Sequence, residues 1–224
     1  MSDDFTPTSG YMQVLDPSVG IMSITPNAEV HMELCARECY NSVDKMKEGS
    51  HIGFLCGAIK RGHFSILSHA HVTFKIEGIS RACSHQFVRH AHIRYLQKSQ
   101  RYCSEEGNDY KVHQYVVPES IDDTPFHEAM EYAWKKYKDF KETKAKNEDA
   151  RYVLPNACKT TIIASATLQG WWDFLRLRMD KHAQWEIRDV AKMIYRLLNA
   201  YCPNVFNPEL IIVQPKLNLE FPDE

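Results

Sequence analysis

Along residues 70–77 the apolar residues Ala70, Val72, Phe74 and Ile76 alternate with the polar residues His71, Thr73, Lys75 and Glu77. Alternation of period two suits a strand with one buried face, because successive side chains point to opposite sides. Gly78 is expected to close that strand. KTTIIASATL (159–168) is rich in β-branched residues and predicts a second strand, and YKVHQYVVP (110–118) a third, stopped by Pro118. Elsewhere the period lengthens to that of a helix. Ile187, Val190, Ala191, Ile194, Leu197 and Leu198 make one apolar stripe near the C-terminus. NAEVHMELCARECYNSV predicts a helix with Asn27 as its N-cap, just after Pro26. Ser50 to Lys60 predicts another, ending at Gly62, and SRACSHQFVRH (80–90) a third. Thr124-Pro125 opens a long charged helix reaching Lys144, with proline in the first turn where its missing N–H costs nothing. The chain beyond Pro203 reads as an extended, Pro-rich tail. Strands and helices without regular βαβ alternation predict an α+β fold, with residues 1–224 as a single domain.

Composition narrows the class. The chain has 224 residues, 44% of them hydrophobic, which suffices for a packed core. A formal net charge of -2 argues against bulk electrostatic binding of nucleic acid or a membrane surface. No apolar run approaches the ~18 residues a membrane helix needs. The acidic, polar start MSDDFTPTSG is unlike a signal peptide. Seven cysteines, an odd number without a CxxC pair, read as reduced thiols in a cytoplasmic protein.

Against that near-neutral background, FVRHAHIRYLQKSQRY (87–102) carries Arg89, Arg94, Lys98 and Arg101 with His90 and His92, and no acid. Arg94, Lys98 and Arg101 fall at helical spacing. Ser99 with Arg101 offers a hydroxyl and a planar fork, a pairing suited to a phosphate oxygen. The bland alternative is a solvated basic surface. In WWDFLRLRMDKHAQWEIR (171–188), Arg176 and Arg178 sit among Leu175, Leu177 and tryptophans. Such arginines need a partner, either an anionic ligand or one of Asp173, Asp180 and Glu186. Arg151 follows two acids in EDARYVLP and can pair with them. His69 and His71 share a strand face, and His63, His85, His90 and His92 lie in neighbouring segments, but no HExxH spacing is present and no metal site is expected. GxGxxG, GxxxxGK[ST] and GxSxG are all missing. Residue chemistry alone thus supports an α+β domain that binds a small phosphorylated or polyanionic ligand.

The same residues resemble a known family, the flavin-dependent thymidylate synthases. Its signature is Arg-His-Arg, seven residues, then Ser, commonly continuing to Arg-Tyr. Here Arg89-His90 is followed at that distance by Ser99, and Gln100-Arg101-Tyr102 completes the end. CARECY (35–40), GHFSILSH (62–69), TFKIEGISRACSHQFVRH (73–90), ARYVLP (150–155) and FLRLRMDKHAQWEIR (174–188) resemble further family blocks in the same order, so the likeness spans residues 28–206. The resemblance implies a homotetramer that binds FAD, NADPH, methylenetetrahydrofolate and dUMP, and methylates the pyrimidine at C5 reductively. It places Gln86, Arg89, Gln97, Ser99, Gln100, Arg101, Arg151 and Arg178 at the nucleotide. Arg178 would face the pyrimidine edge, where a fixed positive charge stabilises negative charge growing over N3 and O4. It places Ser65, Arg89, His90, Arg94, Gln97, Thr167, Gln169 and Asp173 at the flavin, with His63 where flavin and folate meet.

Departures from the family pattern cluster on the flavin side. Ala91 stands for the second arginine of Arg-His-Arg, and Thr167-Leu168-Gln169 stands for Asn-x-Arg. Asp173 replaces a usual His or Asn, and Ser68 replaces a Glu. Losing two arginines and gaining an acid weakens a pyrophosphate seat. Arg94, one helical turn on, is expected to restore the charge lost at Ala91. A flavin-dependent methylase or hydroxymethylase of UMP or dCMP is the nearest alternative. A non-catalytic nucleotide-binding relative is the alternative from another class.

Overall fold

The computed structural model describes residues 12–14, 16–103, 113–121 and 123–211. Its strands are β1 (Met12–Val14), β2 (Ser18–Ile24), β3 (His71–Ser80), β4 (Arg94–Gln97), β5 (His113–Tyr115) and β6 (Lys159–Thr167). Its helices are α1 (Ala28–Glu38), α2 (Ser50–Lys60), α3 (Arg81–Phe87), α4 (Asp123–Glu142), α5 (Asn147–Ala150), α6 (Leu168–Arg178), α7 (Trp185–Tyr201) and α8 (Pro208–Ile211). Mixed α and β elements are as the sequence predicted. A four-stranded sheet has the order β2-β3-β6-β4, and β1 pairs in parallel with β5.

The described residues form two compact units, each drawn from three stretches: those within 1–17, 77–85 and 97–162 make the first, and those within 18–76, 86–96 and 163–224 the second. In the first unit, Trp134 and Tyr137 of α4 pack edge to face at 5.6 Å, in a cluster with Ala150 and Cys158. In the second, the predicted strand and stripe faces are the buried ones. Val72, Phe74 and Ile76 of β3 are buried, as are Ile187, Val190, Ala191, Ile194 and Leu198 of α7. Trp171 of α6 meets Phe74 edge to face at 4.9 Å and donates its indole N–H to the Val72 carbonyl at 3.1 Å. A fully buried indole is thereby satisfied, which fixes α6 against β3.

Five expectations need correcting, the first being that His69 and His71 share a strand face: His69 ends the 3-10 turn Phe64–His69, and only His71 lies in β3. Gly78 does not close β3: at φ 75° it lets the backbone turn and the strand continue to Ser80. Arg94, Lys98 and Arg101 are not on a helix, because residues 94–97 form β4, at one end of the sheet. Asn27 occupies the N-cap position of α1 but in a left-handed conformation, and its side chain makes no capping bond. The segment after Pro203 turns and forms the short α8 rather than running extended through it. Of YKVHQYVVP, β5 covers His113–Tyr115, and residues 110–112 lie outside the described residues.

Candidate functional site

In the second unit, two residues, His90 and Gln86, converge on Arg178, the last residue of α6. Its Nε donates to Nε2 of His90 at 2.9 Å. Its Nη2 donates to the Gln86 carbonyl at 3.1 Å, and Nη1 to Gln86 Oε1 at 3.5 Å. The sequence offered Asp173, Asp180 and Glu186 as salt-bridge partners for the arginines of this segment; the three bonds described here run to neutral acceptors, which orient the guanidinium. The His90 ring rests edge-on against Phe174 of α6 with centroids 4.9 Å apart, and Phe174 packs on Phe87 at 4.6 Å. Burial, aided by the Arg178 charge, lowers the His90 pKa to about 4. The imidazole is therefore neutral at physiological pH, with its remaining proton on Nδ1. Tyr95 donates to the carbonyls of Phe87 at 2.7 Å and His90 at 3.3 Å, and burial pushes its phenol well above the ordinary range.

The residues assigned to a flavin also lie in this unit, apart from Gln97. Arg89 and Arg94 are exposed, and Arg94 Nη1 donates to the Ala91 carbonyl at 2.7 Å. Arg94 thus folds back onto residue 91, although by way of a turn before a strand and not along a helix. Thr167 caps α6, its hydroxyl accepting from Gly170 N at 3.1 Å, and Gln169 is bonded to Ser68 at 2.5 Å. Burial raises the Asp173 carboxyl, against the opposing charges of Arg176 and His92. His63 and Ser65 are exposed at the start of a 3-10 turn spanning Phe64–His69.

The first unit holds the remaining nucleotide candidates. Gln97 Nε2 donates to Ser84 Oγ at 2.9 Å and Thr160 Oγ1 at 3.1 Å. Ser99 Oγ accepts from Arg101 N at 3.2 Å, a local turn that fixes the hydroxyl beside the arginine. Arg101 Nε donates to Glu148 Oε2 at 2.6 Å, and Arg151 Nε to the Glu148 carbonyl at 3.2 Å. One residue of α5 therefore holds both arginines. Arg151 does take a bond from the acidic pair before it, but through backbone rather than carboxylate. Gln100 is 7% exposed and its Nε2 has no partner among the described residues. A buried donor without an acceptor is costly, and an anion held by this loop would satisfy it.

Sequence reasoning missed Gln184, Tyr95 and Glu148 as contributors. Glu148 was visible only as one of two acids before Arg151. Gln184 acts through a contact with Gln86, 98 residues away, and leaves no local pattern, whereas Tyr95 bonds nearby carbonyls within its own stretch without any motif that marks it. No helix among the described residues is long and apolar enough to cross a membrane.

Residues 20–204 match the family model described as thymidylate synthase complementing protein. The flavin-dependent thymidylate synthase of Geobacter sulfurreducens is 38% identical over 199 residues, covering 84% of each chain. That of Mycolicibacterium vanbaalenii is 35% identical over 204 residues, covering 81% of this chain and 80% of its own. Among solved structures, a UMP/dUMP methylase, PolB from Streptomyces cacaoi bound with 5-Br dUMP, superposes with a TM-score of 0.76 at 19% identity, covering 88% of this chain and 95% of its own.

Proposed function

The chain belongs to the flavin-dependent thymidylate synthase family, and from that premise we propose that it makes thymidylate by reductive methylation of dUMP at C5. Methylenetetrahydrofolate is the carbon donor and NADPH the reductant. The observation that carries the reading is the Arg178 guanidinium, held in place by the neutral acceptors His90 and Gln86. A pre-oriented positive charge of this kind favours a pyrimidine whose N3 and O4 have become electron-rich, which raises nucleophilicity at C5. Neutral His90 cannot compete for that charge.

The phosphate of the nucleotide is assigned to Ser99, Arg101 and Arg151, with the Gln100 amide as a further donor. Gln97 is tied by its Nε2 to Ser84 and Thr160, which leaves its Oε1 as the acceptor it offers the nucleotide. For FAD, the exposed guanidinium groups of Arg89 and Arg94 suit a pyrophosphate. Thr167, Gln169 and Asp173 supply no positive charge, so the seat depends on those two arginines, and His90, Ser65 and His63 are assigned to it by the family likeness. Bound FAD would supply the redox chemistry, passing hydride from NADPH to the methylene carried to C5. Each unit is assembled from three separate stretches of chain, so we take residues 1–224 as one functional domain, acting in the cytoplasm as a homotetramer.

Incubation with FAD, NADPH, methylenetetrahydrofolate and, in parallel, dUMP, UMP and dCMP tests the reading by product mass. Thymidylate from dUMP is expected. A product one oxygen heavier would make the enzyme a hydroxymethylase. Protein that takes up no FAD would overturn the enzymatic reading.

A further inference from the structure

We propose that Gln184 is a positioning residue for Arg178, acting through the Gln86 side chain. The inference rests on the reading of Arg178 as the group at the pyrimidine edge. Gln184 stands at the N-cap of α7, where its Oε1 accepts from Ile187 N at 3.2 Å. The same oxygen accepts from Gln86 Nε2 at 3.3 Å. It is anchored to a 17-residue helix whose stripe from Ile187 to Leu198 is buried, so this oxygen is a fixed point.

The second bond sets the sense of an amide. With its NH2 group given to Gln184, Gln86 must turn Oε1 toward Arg178 Nη1, 3.5 Å away. A flipped amide would set NH2 against the guanidinium, donor against donor, and would leave Gln184 facing an oxygen. The Gln86 carbonyl meanwhile holds Nη2 at 3.1 Å. The path from α7 to Gln184, to Gln86, to Arg178 therefore fixes one edge of the guanidinium, and His90 fixes the Nε end.

The choice of residue supports a second role. Ser, Thr, Asp and Asn are the favoured N-caps, because a short side chain reaches the first-turn N–H with little loss of rotamer freedom. Glutamine breaks that local preference. It gains length, and length is what spans from the α7 N-terminus to Gln86. A residue that breaks a local rule and gains a tertiary bond points to a functional demand.

The test separates capping from positioning. Gln184→Ser and Gln184→Asp keep a good cap for α7 but are too short for Gln86, whereas Gln184→Glu keeps an acceptor of the same reach. We expect both short variants to hold their Tm while kcat/KM for dUMP falls roughly tenfold, the scale of one hydrogen bond in a charged network. Gln184→Glu restores most of it. A readout independent of turnover is the ultraviolet titration of bound 5-fluoro-dUMP, whose N3 ionises more readily than that of dUMP. In the short variants its bound N3–H should titrate at higher pH than in the wild type. Wild-type kcat/KM and an unchanged N3 titration in Gln184→Ser would overturn the proposal, as would an equal loss in Gln184→Glu. If wild-type protein makes no thymidylate, the functional reading fails, but the N3 titration still decides whether Gln184 sets the field of Arg178.

Discussion

Arg178 donates its Nε–H to Nε2 of His90 at 2.9 Å, a bond that requires a neutral imidazole. His90 is held to about 4 in the folded chain against an ordinary 6.5, chiefly by burial and then by Arg178. Between those values the unfolded chain binds the extra proton, so stability rises with pH across this window. The contribution is intact above pH 6.5 and is lost as pH falls toward 4. Wild-type Tm should therefore drop more steeply between those limits than that of His90→Asn, which can still accept from Arg178 but does not titrate. Parallel pH profiles for the two proteins would remove His90 as the source.

Arg178→Lys keeps the charge but not the planar fork that serves His90 and Gln86 together. Thymidylate formation measured in a single turnover should fall by about 10²–10³-fold, the scale of losing an oriented electrostatic donor. Near-wild-type turnover in this variant would take Arg178 out of the chemistry.

Arg94 reaches the carbonyl of Ala91, the residue that stands where the family has an arginine. Arg94→Ala should weaken FAD binding roughly tenfold, as expected for one charge-assisted contact. Ala91 is exposed, so adding Ala91→Arg to that variant should restore affinity. Flavin fluorescence titration of the three proteins decides it, and unchanged affinity in Arg94→Ala would refute the compensation.

Gly78 is the backbone position where substitution should cost most. Its φ is 75°, and a Cβ there would lie 2.8 Å from the Asp16 carbonyl oxygen. Gly78→Ala therefore meets both left-handed strain and a backbone clash, and should lower stability by about 1–3 kcal/mol or more. Gly53, exposed within α2 with open space around its Cβ position, is the contrast. Gly53→Ala should raise stability by about 0.5–1 kcal/mol. Urea unfolding of both variants measures the difference.

Elements whose burial repeats along the chain were legible in the sequence. The alternation of β3 and the stripe of α7 both report a one-sided core, and both faces are buried as predicted. The reading failed where one residue type serves two geometries. Glycine ends strands, but its freedom at positive φ also lets β3 continue through Gly78. β4 is only four residues long, too short for period to separate strand from helix, and the spacing of Arg94, Lys98 and Arg101 imitated a helical face. Within the candidate site, the basic residues were visible because charge in an otherwise neutral chain is conspicuous. Gln86 and Gln184 are 98 residues apart and uncharged, so nothing local announces their bond.

Glu148 sets the state of the proposed phosphate site before the nucleotide arrives. Its carboxylate takes the Arg101 Nε–H at 2.6 Å, and Lys146 Nζ lies 3.9 Å from its other oxygen. An incoming phosphate must share or displace this internal anion. Half-exposed Arg101 and its partner make a surface pair that contributes at most about 1 kcal/mol to folding. Glu148→Gln should therefore leave Tm nearly unchanged. It should tighten dUMP binding severalfold, since the glutamine oxygen still orients Arg101 while the competing charge is gone. Calorimetry at low and high salt reads both parts, and the gain should shrink as salt screens the carboxylate in the wild type. Weaker binding in Glu148→Gln would instead mean that the carboxylate's main contribution is to aim Arg101, with competition secondary.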